Sequence, residues 1–139
     1  MTLWNNLFLT LVAILYAYLA IWCTWDPQTT SQKVGFDLKP GSGPNEFITV
    51  YGGLEMGMAL LFLACWINPT ASFHSLLACT VMHGCLVLFR TYAFVTLSLE
   101  NVQPLTYRLA IGEWVLFLVS ASLLLTHYLS PPTGATTAG

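Results

Sequence analysis

The chain has 139 residues, 56% of them hydrophobic and only 7% charged, with a formal net charge of −2 and a mean hydropathy of +0.70. A soluble domain carries about a quarter charged residues, so this chain lacks the polar surface to cover itself in water and reads as an integral membrane protein. Four Lys and Arg residues in all form no basic patch, which argues against a nucleic-acid partner.

In chain order, the first apolar segment runs from Leu3 to Trp25, long enough to cross a bilayer as a helix. It lacks the basic n-region and small-residue cleavage site of a signal peptide and ends in WCTWDP, so it is expected to stay in place. The stretch from Asp26 to Glu46 is rich in Pro, Gly and Ser and is expected to be a loop. A second span is predicted over Phe47–Ile67 and a third over Ala71–Leu99, with Asn68-Pro69-Thr70 as a tight turn between them. Residues 100–104 lead into a fourth span, Leu105–Leu129, and the tail SPPTGATTAG is expected to be disordered.

The implied fold is an all-α, antiparallel four-helix membrane bundle in one domain, residues 1–129. Trp4, Trp22, Trp25, Trp66, Tyr107 and Tyr128 near the span ends suit an aromatic belt. Lys33, Lys39 and Arg108 gather on one side, which places both termini on the non-cytoplasmic side. Cys23, Cys65, Cys79 and Cys85 show no CxxC spacing and read as small packing residues. His74 and His127 fall with Asn5 and Asn6 at the Asn68 end as interfacial polar groups, so neither a metal nor a cofactor is expected.

Three charges lie inside spans: Glu55, Arg90 and Glu113. Each costs about 2.5–3.5 kcal/mol near the bilayer centre on insertion scales. At 1.5 Å per residue, Glu55 and Glu113 lie about 12 Å and Arg90 about 13 Å in from the same side. Helices of opposed direction therefore bring them to one level. Tyr51 lies four residues before Glu55 on its face. His83 lies two turns from Arg90, and Tyr16 of the first span reaches a comparable depth. Thr106, Glu113, Ser120 and His127 form a polar stripe at seven-residue spacing. Gly53 and Gly57 make a small-xxx-small pair that would admit a close helix.

Two carboxylates against one guanidinium leave one transferable proton, or a cationic His83, in the cluster. A Glu–Arg–Glu set can equally pin helices together.

The run NEFITVYGGLEMG, with LFRTYAF around Arg90 and IGEWVLF around Glu113, resembles a family of small four-span membrane proteins catalogued as domain of unknown function 4345. Asn45, Glu46, Tyr51, Gly52, Gly53, Gly57, Arg90 and Glu113 stand at the places of the family pattern. Glu55 stands where that pattern varies. The resemblance covers nearly the whole chain apart from the tail, and it implies the fold and the site but no reaction.

Two function classes follow. In one, an apolar pocket with Glu55, Glu113, Arg90, His83 and Tyr51 as catalytic groups, and Glu46, Asn45, Tyr16 and Gly53 as binding groups, holds a lipophilic molecule. Acid–base isomerisation or cyclisation of a terpenoid- or sterol-like substrate is the chemistry such groups would perform, as an isomerase or cyclase. In the other, the chain is a non-catalytic accessory subunit of a larger membrane complex. Lipid bilayer, a lipophilic ligand, and a second copy or another membrane protein are the expected partners.

Overall fold

The structure, a computed structural model, describes residues 2–129; the expectation of a disordered tail falls on residues 130–139, outside them. The protein is all-α. Helix α1 covers Thr2–Trp25, α2 Pro27–Val34, α3 Ser42–Phe47, α4 Leu54–Leu63, α5 Pro69–Thr96 and α6 Pro104–Leu129. Between α3 and α4 the backbone forms a π-helical segment, Ile48–Gly53, and after α4 a short 3₁₀ turn, Ala64–Trp66. Four helical stretches are long and apolar enough to cross a membrane: Leu3–Trp25, Ser42–Trp66, Pro69–Thr96 and Pro104–Leu129. This is a multi-pass integral membrane protein.

The spans differ from the sequence expectation at their ends. The second begins at Ser42 rather than Phe47, because α3 and the π segment run directly into α4. The third stops at Thr96: Leu97 is already extended, and the apolar Leu97 and Leu99 carry the hydropathy past the end of the helix. At its start, Asn68 is a cap rather than the middle of a turn. Its side chain accepts the Ala71 amide at 2.8 Å, and Pro69 takes the first helical position, where no N–H is needed.

The long connection is not a bare loop. Asp26 caps α2 by accepting the Thr29 amide at 3.1 Å, Pro27 follows, and Gly35 ends the helix in the left-handed region at φ 94. Thr30 and Ser31 are buried, and the Thr30 hydroxyl reaches the Trp22 carbonyl at 3.3 Å, so α2 folds back onto α1. The cap has a pH signature. The bond from the Thr29 amide holds the Asp26 carboxyl below its ordinary 3.8. A carboxyl with a depressed folded value contributes stability that is complete above 3.8 and lost as pH falls through the folded value. In an NMR titration the Thr29 amide should shift with a midpoint below 3.8, and Asp26→Asn should abolish that shift.

The core lies where α1, α4 and α5 meet. Leu9, Val12, Ala13, Tyr16, Ala59, Phe62, Cys65, Leu76 and Cys79 form it. Helix α1 packs chiefly on the second span, and α5 touches all three other spans' neighbourhoods, with α6 docked chiefly on it. At the Asn68 end, polar groups lock the spans together. Ser72 donates to Asn6 Oδ1 at 2.6 Å, Ser75 to the Leu61 carbonyl at 2.8 Å, and the Trp66 indole to Thr10 Oγ1 at 2.8 Å. Ser72 and Asn6 are buried, so water offers their bond little competition.

The close approach of helices falls on a different glycine from the expected pair. A Cβ on Gly53 or Gly57 would meet nothing within 4 Å, whereas one on Gly52 would collide with Oγ1 of Thr24 in α1. Gly52, buried in the π segment, is the residue that lets α1 pass.

Candidate functional site

Two polar pairs occupy the interior, each built from residues far apart in sequence. Glu113 on α6 receives Arg90 from α5 in a bidentate contact: the guanidinium Nε donates to one carboxylate oxygen, and Nη2 donates to the other at 2.6 Å. The fork geometry of guanidinium matches carboxylate, which makes this the strongest ionic contact available to side chains. It joins α5 to α6.

The second pair is Tyr16 and His83. His83 is fully buried and Tyr16 nearly so. His83 Nδ1 lies 2.8 Å from the Cys79 carbonyl, which can only accept, so Nδ1 carries the hydrogen and Nε2 the lone pair. The Tyr16 hydroxyl, 3.1 Å from Nε2, therefore donates to it. Phe62 packs against both rings. Every valence of this imidazole is used within the core, and no cation is needed there to balance charge. Tyr16→Phe would leave Nε2 a buried acceptor without a donor and should cost about 1–3 kcal/mol. Thermal unfolding in detergent would show the loss, and the Tyr16→Phe/His83→Phe double variant should recover most of it.

Glu55 stands apart from both pairs. It is half-buried on α4, and its polar neighbour is the Cys23 thiol of α1 at 4.0 Å. It forms no ion pair with Arg90, so the expected three-charge cluster resolves into one bonded pair and a separate carboxylate. Cys23 had been assigned to packing, and nothing in its spacing marked it as a neighbour of Glu55.

Tyr51 belongs to the π segment. It stacks on Phe47 at 4.6 Å between ring centroids and lies 5.8 Å from Phe36. Together with Asp37, Leu38, Gly43, Glu46 and Val50 these three rings line an open surface hollow of about 290 Å³. A larger, open groove of about 740 Å³ runs between α1 and the π segment, lined by Ala20, Thr24, Thr49, Gly52, Gly53 and Met56. Neither hollow is lined by Glu55, Arg90, His83 or Glu113. Asn45 is exposed on α3, beside the exposed Glu46.

On the polar stripe of α6, Ser120 is fully buried and donates to the Phe117 carbonyl, while His127 sits at the exposed end against Phe73. His74 is exposed and bonds the Thr70 carbonyl at 2.8 Å. Among the described residues no group of three or more His, Cys, Asp or Glu side chains is placed to hold a metal ion. Comparison with protein-family models, with curated proteins and with solved structures returns no match.

Proposed function

We propose that this membrane protein binds a lipophilic small molecule whose polar group meets Glu55, and that proton transfer there isomerises or cyclises a terpenoid- or sterol-like substrate. The observation that carries the reading is the situation of Glu55. It is a half-buried carboxylate inside a span, near a thiol and without an ion pair among the described residues, while the Arg90 guanidinium is taken by Glu113. An uncompensated charge at such a depth is costly, and intramembrane carboxylates commonly mark ligand or proton sites. In this scheme Glu55 carries a proton and gives it to an alkene, epoxide or carbonyl. Glu113, which keeps lone pairs on both oxygens beside Arg90, takes the proton that the substrate releases, and the return of that proton to Glu55 by way of solvent restores both carboxyls for the next turnover. The likeness of the motifs to domain of unknown function 4345, and an orientation with both termini non-cytoplasmic, belong to the same proposal.

A second reading, a non-catalytic subunit of a larger complex, is favoured by α6. That helix docks chiefly on α5 and leaves Ile111, Trp114, Val115 and Leu118 exposed. Native mass spectrometry of the protein purified in mild detergent separates the two. A lipophilic adduct should accompany the parent protein and be lost in Glu55→Gln, a variant that breaks no ion pair and should melt at the parent temperature. A protein that arrives without adduct, or an adduct indifferent to Glu55→Gln, defeats the ligand reading. Co-purification in fixed ratio with other membrane chains would then favour the subunit.

A further inference from the structure

We infer that the open surface hollow lined by Phe36, Asp37, Glu46, Phe47 and Tyr51 is a binding site for an alkylammonium group. The inference stands on this hollow alone and does not rest on the reading of Glu55. The walls come from three successive pieces of chain: Phe36 and Asp37 follow α2, Glu46 and Phe47 end α3, and Tyr51 belongs to the π segment. Phe36, Tyr51 and Phe47 touch in series, which makes one continuous aromatic wall. Aromatic faces attract cations through the ring quadrupole, most strongly where water is reduced.

Two carboxylates stand beside that wall, and neither Asp37 nor Glu46 is in an ion pair among the described residues. Lys33, the basic residue nearest in sequence on the α2 side, is held over the Trp22 ring at 5.1 Å. Lys39 is exposed and does not line the hollow.

The lining discriminates among ligand classes. An anion would meet two negative groups. A hard metal ion would want six to eight oxygen ligands, whereas only two of the lining side chains are carboxylates and most of the others are apolar. A neutral apolar group would have no use for the carboxylates. An organic cation uses both features: its apolar substituents contact the rings and its charge is balanced by the acids. At about 290 Å³ the hollow lies just below the range of drug-sized pockets, about 300–1,000 Å³, and so suits a head group rather than a whole lipid. Its position at the head of the second span is the level of lipid head groups. The alkylammonium can therefore belong to a lipid or to a free organic cation, and the two sources share one recognition chemistry.

The test uses the full chain in maltoside micelles and isothermal calorimetry, with choline and its neutral isostere 3,3-dimethylbutan-1-ol as probes. Choline should bind and the isostere should bind at least about tenfold more weakly, the difference that about 1.4 kcal/mol of cation recognition makes. The Asp37→Asn/Glu46→Gln double variant should weaken choline binding by a similar factor, and Phe36→Leu, which keeps an apolar side chain without the ring, several-fold. Size-exclusion profiles and melting temperatures equal to the parent exclude misfolding as the cause. Equal binding of the two probes, choline binding unaffected by the double variant, or no choline binding at all would each overturn the inference. Nanodiscs resolve the source. Choline binding that persists in phosphatidylglycerol discs and disappears in phosphatidylcholine discs identifies the lipid head group, and equal binding in both identifies a free cation.

Discussion

Glu113→Gln should destabilise the protein more than Arg90→Met, and the double variant should be more stable than either single one. Removing one partner of a buried ion pair costs about 3–5 kcal/mol, because the other charge stays behind unpaired. Arg90 and Glu113 side chains keep 28% and 14% of their exposure, so the lower end of that range applies. The asymmetry comes from chemistry. A stranded carboxylate can take up a proton and become neutral, whereas a stranded guanidinium keeps its charge at any accessible pH. With both charges gone, little remains to compensate, and the double variant should return to within about 1 kcal/mol of the parent. Thermal and denaturant unfolding in micelles, read by circular dichroism, would measure all three. Simply additive losses would show that the pair contributes nothing as a pair.

The second large effect is expected at Gly52. Its missing Cβ is the space into which Thr24 Oγ1 fits, and that hydroxyl is itself bonded to the Ala20 carbonyl at 2.8 Å. Gly52→Ala forces Thr24 to another rotamer or pushes α1 outward, an overpacking cost of about 1–3 kcal/mol. Thr24→Ala in the same chain should recover most of the loss, since it removes the obstructing atom, and the double-mutant cycle reads that coupling directly. Gly53→Ala and Gly57→Ala meet open space and should instead be neutral, or stabilising by up to about 1 kcal/mol, through helix propensity. A Gly52→Ala variant as stable as Gly53→Ala would refute this assignment.

The contrast among these glycines shows what local sequence can and cannot convey. Spacing identifies a small-residue stripe, but which residue meets a neighbour depends on how the helix is rotated, and the π segment alters that rotation just upstream. The four spans were legible because runs of apolar residues need no partner information. Arg90 and Glu113 were placed together by depth alone, and this held because both lie on regular helices where 1.5 Å per residue applies without interruption. Glu55 follows an irregular turn, and the same arithmetic set its depth without setting its direction. It therefore sits by Cys23 rather than in the ion pair. The bond between Tyr16 and His83 spans 67 positions, and no local pattern could have announced it. Helix α2 is a different case. Its Asp-Pro start and Gly stop are written in the chain, yet the surrounding Pro, Gly and Ser content concealed them.

The π segment also has a consequence for how one transmembrane helix can serve two places. An α-helix advances about 100° per residue, so accommodating one additional residue in a turn puts everything upstream out of phase with everything downstream by roughly that angle. The Ser42–Trp66 span is thus two helical phases joined end to end. One turns Phe47 and Tyr51 toward the hollow they share with Phe36, and the other turns Glu55 toward Cys23 of α1. A continuous α-helix would have stacked Tyr51 directly above Glu55. The irregular turn separates them, so the two ends of one span meet different partners.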